Sequence, residues 1–272
     1  MSASPIGAGS AQRREMGMPA PVQVLALLGR TLRITVQQPF SVFTPLLISL
    51  FFLFIYQGQL GGAADFFLEG TDYLGFILPL SIVSAAFSGA GLSGQTLVRD
   101  IETGYFDKLL LTPANRWAIL LGPMLAAALV LVVQTFALIG VALLLGLKIT
   151  TGVAGVATVL GLTLLVGLGF GAFTTGVALL SGNAAATQSA SFLFFPLSFL
   201  TATFVPIDLL EGWLAAAARL NPITYVLQAG RALINTGWDG TAVAQGLLAG
   251  GLLFAVFFVF TLVGLRVRTR RS

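Results

Sequence analysis

The 272-residue chain contains no cysteine and no histidine. The first absence excludes a disulfide framework and any thiolate metal site. The second removes the commonest proton shuttle and the commonest metal ligand. Charge is scarce as well, at 9% of residues, while 57% are hydrophobic and mean hydropathy is +0.96. A soluble domain could not hide that much apolar surface, so the chain reads as an integral membrane protein. Its apolar stretches place no ionisable side chain deep in a bilayer, which counts against an ion-coupled carrier. No Gly-x-x-x-x-Gly-Lys-Ser/Thr phosphate loop occurs, because neither Lys108 nor Lys148 follows a glycine. No carboxylate pair, metal cluster or nucleophile–base set is visible, so the chain is expected to be no enzyme and to hold no metal or cofactor of its own. The net charge of +4 is no nucleic-acid signal, since the basic residues are scattered or sit beside apolar stretches. If this chain supports uphill transport, the energy must come from another polypeptide.

What the chain does have is six apolar stretches long enough to cross a bilayer as helices, at about 39–60, 73–98, 115–146, 152–180, 186–205 and 243–265. Eleven of its 14 basic residues flank these stretches on one side, among them Arg13, Arg14, Arg30, Arg33, Arg99, Lys108, Arg116 and the four arginines from Arg266 to Arg271. The positive-inside rule then puts both termini in the cytoplasm, and the even number of spans agrees. Residues 1–20 are small and polar and read as a disordered tail without the apolar core of a signal peptide.

Residues 21–37 carry Val22, Leu25, Gly29, Leu32 and Val36 on one face and Gln23, Arg30, Arg33 and Gln37 on the other. This predicts an amphipathic helix on the inner membrane surface, either a plain anchor or part of a partner contact. Between the fifth and sixth spans, Pro206–Leu220 and Pro222–Asn235 are apolar but too short to cross. Asn221 reads as an N-cap and Pro222 as a first helical residue, so the pair predicts a re-entrant hairpin or a surface helix followed by a loop. The Gly-x-x-x-Gly spacings at Gly167–Gly171 and Gly246–Gly250 predict close helix packing.

The segment from Arg99 to Asn115, RDIETGYFDKLLLTPAN, with Arg116 holds six of the chain's charges between the second and third spans. Read as one helix over 100–111, it turns Ile101, Phe106, Leu109 and Leu110 to one side. Asp100, Glu102, Asp107 and Lys108 lie around them. Such a piece either links two spans or fits a partner's groove with Tyr105 and Phe106, its charges fixing register.

The run RDIETGYFDKLLLTPANRWAILLG resembles the first cytoplasmic loop of ABC-2 type permeases, the membrane subunits of a class of ATP-driven exporters. The resemblance rests on Glu102, Gly104, the leucines 109–111 and Thr112–Pro113, and is supported by the Asn221–Pro222 element ahead of the last span. Within the family the loop is most similar to daunorubicin-resistance-like drug exporter permeases. The resemblance implies an all-α fold over 21–272 with six transmembrane helices, an N-terminal interfacial helix and a re-entrant hairpin marked by Pro206, Asn221 and Pro222. It implies a coupling helix formed by Arg99, Asp100, Ile101, Glu102, Gly104, Tyr105, Phe106, Leu109 and Leu110. Its implied partners are two copies of an ATP-binding subunit holding ATP and Mg, and a second permease, identical or related, in a bacterial plasma membrane. It also makes the second and fifth spans walls of a cargo path, with Phe76, Phe87, Gln95, Phe192, Phe195 and Phe199 as candidate lining. An aromatic path suits a hydrophobic or amphipathic drug, antibiotic or lipid. A polysaccharide or lipo-oligosaccharide is the alternative cargo within the family, and an ATP-independent carrier or assembly factor the alternative outside it.

Overall fold

A computed structural model describes residues 18–62, 72–112, 115–201 and 207–270. The tail expected over 1–20 therefore lies outside the described residues up to position 17, as do Pro113, Phe204 and Pro206. Helix α1 (Ala20–Val36) is followed after two residues by α2 (Pro39–Leu60), each with proline in its first turn, where no intrahelical N–H is needed. Asp72 caps α3 (Tyr73–Gly89) by accepting the Leu74 N–H at 3.0 Å. After one intervening residue, Ala90, α4 (Gly91–Glu102) continues the rod, so that residues 73–102 form one apolar column longer than the predicted 73–98. A six-residue helix, α5 (Tyr105–Leu110), leads to α6 (Arg116–Leu144). There Asn115 is the cap its position predicts, accepting from the Trp117 N–H at 3.0 Å. Then come α7 (Gly152–Ser181), α8 (Ala184–Phe192), α9 (Phe194–Phe199), α10 (Gly212–Leu220), α11 (Pro222–Arg231) and α12 (Gly240–Thr269).

Among the described residues five helices are long and apolar enough to cross a membrane: α2, the α3–α4 column, α6, α7 and α12. By length and composition they fit a multi-pass membrane protein. The predicted fifth span, 186–205, is not one long helix. Asn183 caps α8, accepting the Ala186 N–H at 3.1 Å, and the helix then breaks at Leu193. Pro196 explains the weakness there, because it has no N–H to return to the Phe192 carbonyl. The predicted pair of short helices before the last span is present as α10 and α11. Asn221 accepts from the Ile223 N–H at 3.0 Å and Pro222 begins α11. A π-turn over Ala232–Thr236 follows α11. The Leu233 and Ile234 carbonyls there accept from the Thr151 and Thr150 hydroxyls at 2.5 and 3.0 Å, which ties this turn to the α6–α7 connection.

Helix α7 is central and packs along α12, α6 and α4. A cluster of Phe87, Phe170 and Phe194, with ring centroids 4.4–5.9 Å apart, fills the core where α3, α7 and α9 meet. The glycine spacings work within the chain. A Cβ on Gly246 would stand 2.6 Å from the Ala229 Cβ and one on Gly167 3.0 Å from the Ala128 Cα, so both crossings require glycine. Helix α2 is the least embedded span and leaves Phe40, Phe43, Leu47, Phe51 and Phe54 exposed along its length.

Candidate functional site

The charged segment is two pieces, not the single helix predicted over 100–111. Arg99 to Glu102 form the last turn of α4. The Thr103 hydroxyl caps that turn by donating to the Arg99 carbonyl at 2.8 Å. Gly104 then takes φ +69°, a left-handed conformation that L side chains resist, and α5 starts in a new direction. An amphipathic pattern had carried the helix reading straight through this glycine.

The break decides which side chains face outward. Phe106 is 0% exposed. It sits against Leu97, Val98, Leu120 and Met124 and roots α5 in the bundle instead of meeting a partner's groove. Asp100 is 4% exposed, and Arg30 of α1 grips it through both oxygens, at 2.8 and 2.5 Å. The Arg30 guanidinium also lies 4.1 Å above the centre of the Tyr105 ring. The hydrogen bonds to Asp100 hold the Arg30 pKa above its ordinary value, against the opposing effect of partial burial. Asp100, Tyr105 and Phe106 thus build the base of the loop. Ile101, Gly104, Leu109 and Leu110 are half-buried on it. Its outward surface is Arg99, Glu102, Thr103, Asp107, Lys108, Leu111 and Thr112. Leu111 is 89% exposed, a large apolar side chain at the tip of a charged loop. The sequence reading had not singled it out among three consecutive leucines.

The face of α1 predicted to be polar is divided: Arg33 and Gln37 are exposed, while Gln23 and Arg30 turn to the loop. Gln23 and Arg30 both bond to the loop region, Gln23 through its Oε1, which accepts the Asn115 N–H at 2.7 Å. The predicted apolar face keeps Val22, Leu25 and Val36 exposed, as a lipid-facing stripe would.

The residues named for a cargo path do not come together as one surface. Phe76 is buried beneath the Arg231 guanidinium, 3.6 Å from its ring centre, and its carbonyl accepts from Arg231 Nε at 3.0 Å. Arg231 is itself buried in the bundle. Phe87 belongs to the aromatic core, with one edge on a groove of about 630 Å³ between α2 and α8 that Pro45, Ile48 and Phe192 also line. Phe192 and Phe199 are exposed, and the Phe195 side chain lies outside the described residues. Gln95 donates to the Gln188 amide oxygen and so joins α4 to α8. A second groove runs from there past Thr35, Gln38 and Ser41 to Arg99 and is more polar than the first. Among the described residues no group of His, Cys, Asp and Glu could hold a metal ion.

This arrangement defines a class: a helical membrane protein in which a charged loop is rooted in the bundle by Phe106 and the Arg30–Asp100 pair and presents a mixed polar and apolar tip. The family model for the ABC-2 type transporter matches residues 22–235, and the chain belongs to that family of transport permeases. It is 27% identical to the daunorubicin resistance ABC transporter permease protein DrrB1 of Streptomyces coeruleorubidus over 229 residues, 82% of this chain and 79% of that one. It is 28% identical to the putative transport permease ycf38 of Cyanophora paradoxa over 211 residues, 76% of this chain and 72% of that one. A ycf38 permease of Porphyra purpurea is 22% identical over 249 residues, 89% and 86% of the two chains.

Proposed function

We propose that this chain is the transmembrane subunit of an ATP-driven exporter that moves a hydrophobic or amphipathic compound, such as a drug, antibiotic or lipid, outward across a bacterial plasma membrane. The observation that carries the proposal is the loop. A permease that hydrolyses nothing needs a stiff contact through which another chain can push. Here Phe106 and the Arg30–Asp100 pair fix a surface of Glu102, Asp107, Lys108 and Leu111. Small charged rims fix register while a central apolar side chain supplies contact energy, and the tip has both. The working unit is two permeases with two ATP-binding subunits, which hold the ATP and Mg. Both termini and the loop lie in the cytoplasm, since Arg33, Arg99, Lys108, Arg116 and Arg266 crowd the same flanks. Helices α8 and α9 together serve as the sixth crossing. Helices α10 and α11 form the re-entrant hairpin, with α11 packed on α12 and α3 and the turn after it held by the Thr150 and Thr151 hydroxyls. The printed name of DrrB1 favours a drug-like cargo, and the apolar groove beside Phe87 and Phe192 suits one.

The test is transport into inverted membrane vesicles containing this chain and a co-expressed ATP-binding subunit. A fluorescent amphipathic drug should accumulate with ATP, survive collapse of the proton gradient and stop when the ATPase is inactivated. Accumulation that follows the proton gradient at constant ATP would instead support a secondary carrier.

A further inference from the structure

Helix α12 turns one continuous stripe away from the bundle. Leu252, Val256, Val259 and Val263 are between 50% and 64% exposed, and Arg266 and Arg270 follow them as exposed residues. The spacing along this series alternates between four and three residues, so all six lie on the same side of the helix. Arg268 lies on the opposite side. Its guanidinium rests against Gly182 at the end of α7, where an added Cβ would stand 3.0 Å from Arg268 Nη1. A cation there complements the free carbonyls of a helix C-terminus. The arginines at this end of α12 are thus sorted: Arg268 completes the bundle, and Arg266 and Arg270 continue the outward apolar stripe.

Helical rise sets the depths. Val256 lies about 15 Å from Arg266 along the axis, the hydrocarbon thickness of about one leaflet. Arg270 stands about 6 Å beyond Arg266, one turn further into the headgroup layer. Among the described residues neither arginine pairs with a carboxylate, so both guanidinium forks are open to a phosphate. We propose that this stripe is a binding site for an anionic phospholipid in the leaflet at the arginine end of α12. Arg266 and Arg270 hold its phosphate and anionic headgroup, and an acyl chain lies along Val256, Val259 and Val263. Trp117 of α6, whose ring is 5.3 Å from that of Phe258, flanks the stripe. Cations near the end of a span set its orientation, but orientation does not require them on the apolar stripe. A second copy of this chain is a poor occupant, because two-fold packing through the stripe would set arginine against arginine at the same depth. The leaflet is the cytoplasmic one by the orientation proposed above; the binding rests neither on that orientation nor on ATP-driven transport.

The test is native mass spectrometry of the full chain released from mild detergent, titrated with phosphatidylglycerol and, in parallel, with phosphatidylcholine of the same acyl chains. The site predicts tighter binding of phosphatidylglycerol. Arg266→Gln with Arg270→Gln should weaken that binding about thirtyfold. Arg268→Gln removes the same kind of charge from the opposite face and should weaken it far less. Melting temperatures in the same detergent separate lost binding from misfolding. Should the glutamine pair fail to fold, Arg266→Lys with Arg270→Lys decides, since it keeps the charge without the fork: intermediate weakening is expected, and none would overturn the contact. Equal losses in the Arg268→Gln protein and in the glutamine pair would reduce the effect to diffuse surface charge and overturn the site. Displacement of the lipid by glycerol phosphate, the headgroup without chains, would make it a site for a soluble anion and overturn the lipid assignment. The chain has no native cysteine, so Val259→Cys reports on a second copy. A disulfide-linked dimer of that variant that takes up no phosphatidylglycerol would make the stripe an interface between copies and overturn the proposal.

Discussion

Gly104 turns the loop at φ +69°, and nothing lies within 4 Å of the place a Cβ would occupy. The demand is therefore on the backbone and not on space. Gly104→Ala should cost about 1 kcal/mol, seen as a lower melting temperature of the solubilised chain. Gly104→Pro, which fixes φ near −65°, should redirect α5 and abolish coupled transport while the protein still reaches the membrane. Glu102→Lys changes an exposed charge only, so it should leave melting unchanged and still reduce transport; a fully active Glu102→Lys protein would remove this residue from the contact. The Arg30–Asp100 pair should respond unequally. Arg30→Ala strands a carboxylate that is 4% exposed and should cost about 2–3 kcal/mol. Asp100→Asn leaves a guanidinium with access to water and should cost about 1 kcal/mol. Thermal unfolding of the two variants side by side reads the difference.

At the scale of elements, packing sets the tolerances. A Cβ on Gly94 would stand 2.5 Å from the Thr187 methyl and 2.7 Å from the Thr174 carbonyl, so Gly94→Val should wedge α4 from α7 and α8 at a cost of about 1–3 kcal/mol. Gly140→Ala, with open space around it, should be neutral or slightly stabilising by the same melting assay. Phe106→Ala should be worse than either, because it removes the root of α5 from a filled core, at about 3–5 kcal/mol. Much at this scale was legible in the sequence. The long apolar runs match α2, α6 and α7 within two residues and fall short of α12 by three residues at its start and four at its end, and Asn115 and Asn221 mark two helix starts that their side chains in fact cap. The interruptions were harder to read. Leu193 ahead of Pro196 and Gly104 each stop a helix inside a stretch whose hydrophobic pattern runs on. Composition over a window cannot register a single left-handed residue or one missing N–H.

For the whole molecule, the sequence located the charged loop correctly but not its inward and outward sides. Exposure there depends on partners far away in the chain: Arg30 lies 70 residues from Asp100, and Gln23 lies 92 from Asn115. A single sequence carries no sign of such pairings. The same limit turned Phe76 and Phe87 from expected path lining into core. The central claim is that this molecule does no chemistry itself and is driven through the tip of one loop. The measurement that tests it most directly is copurification of the tagged chain, expressed with its neighbouring genes, in mild detergent. The account expects an ATP-hydrolysing partner in equal amount, lost when Lys108→Glu and Leu111→Asp are introduced together while the melting temperature of the permease stays the same. A well-folded chain that purifies alone, or a partner that remains bound to the Lys108→Glu, Leu111→Asp variant, would contradict it.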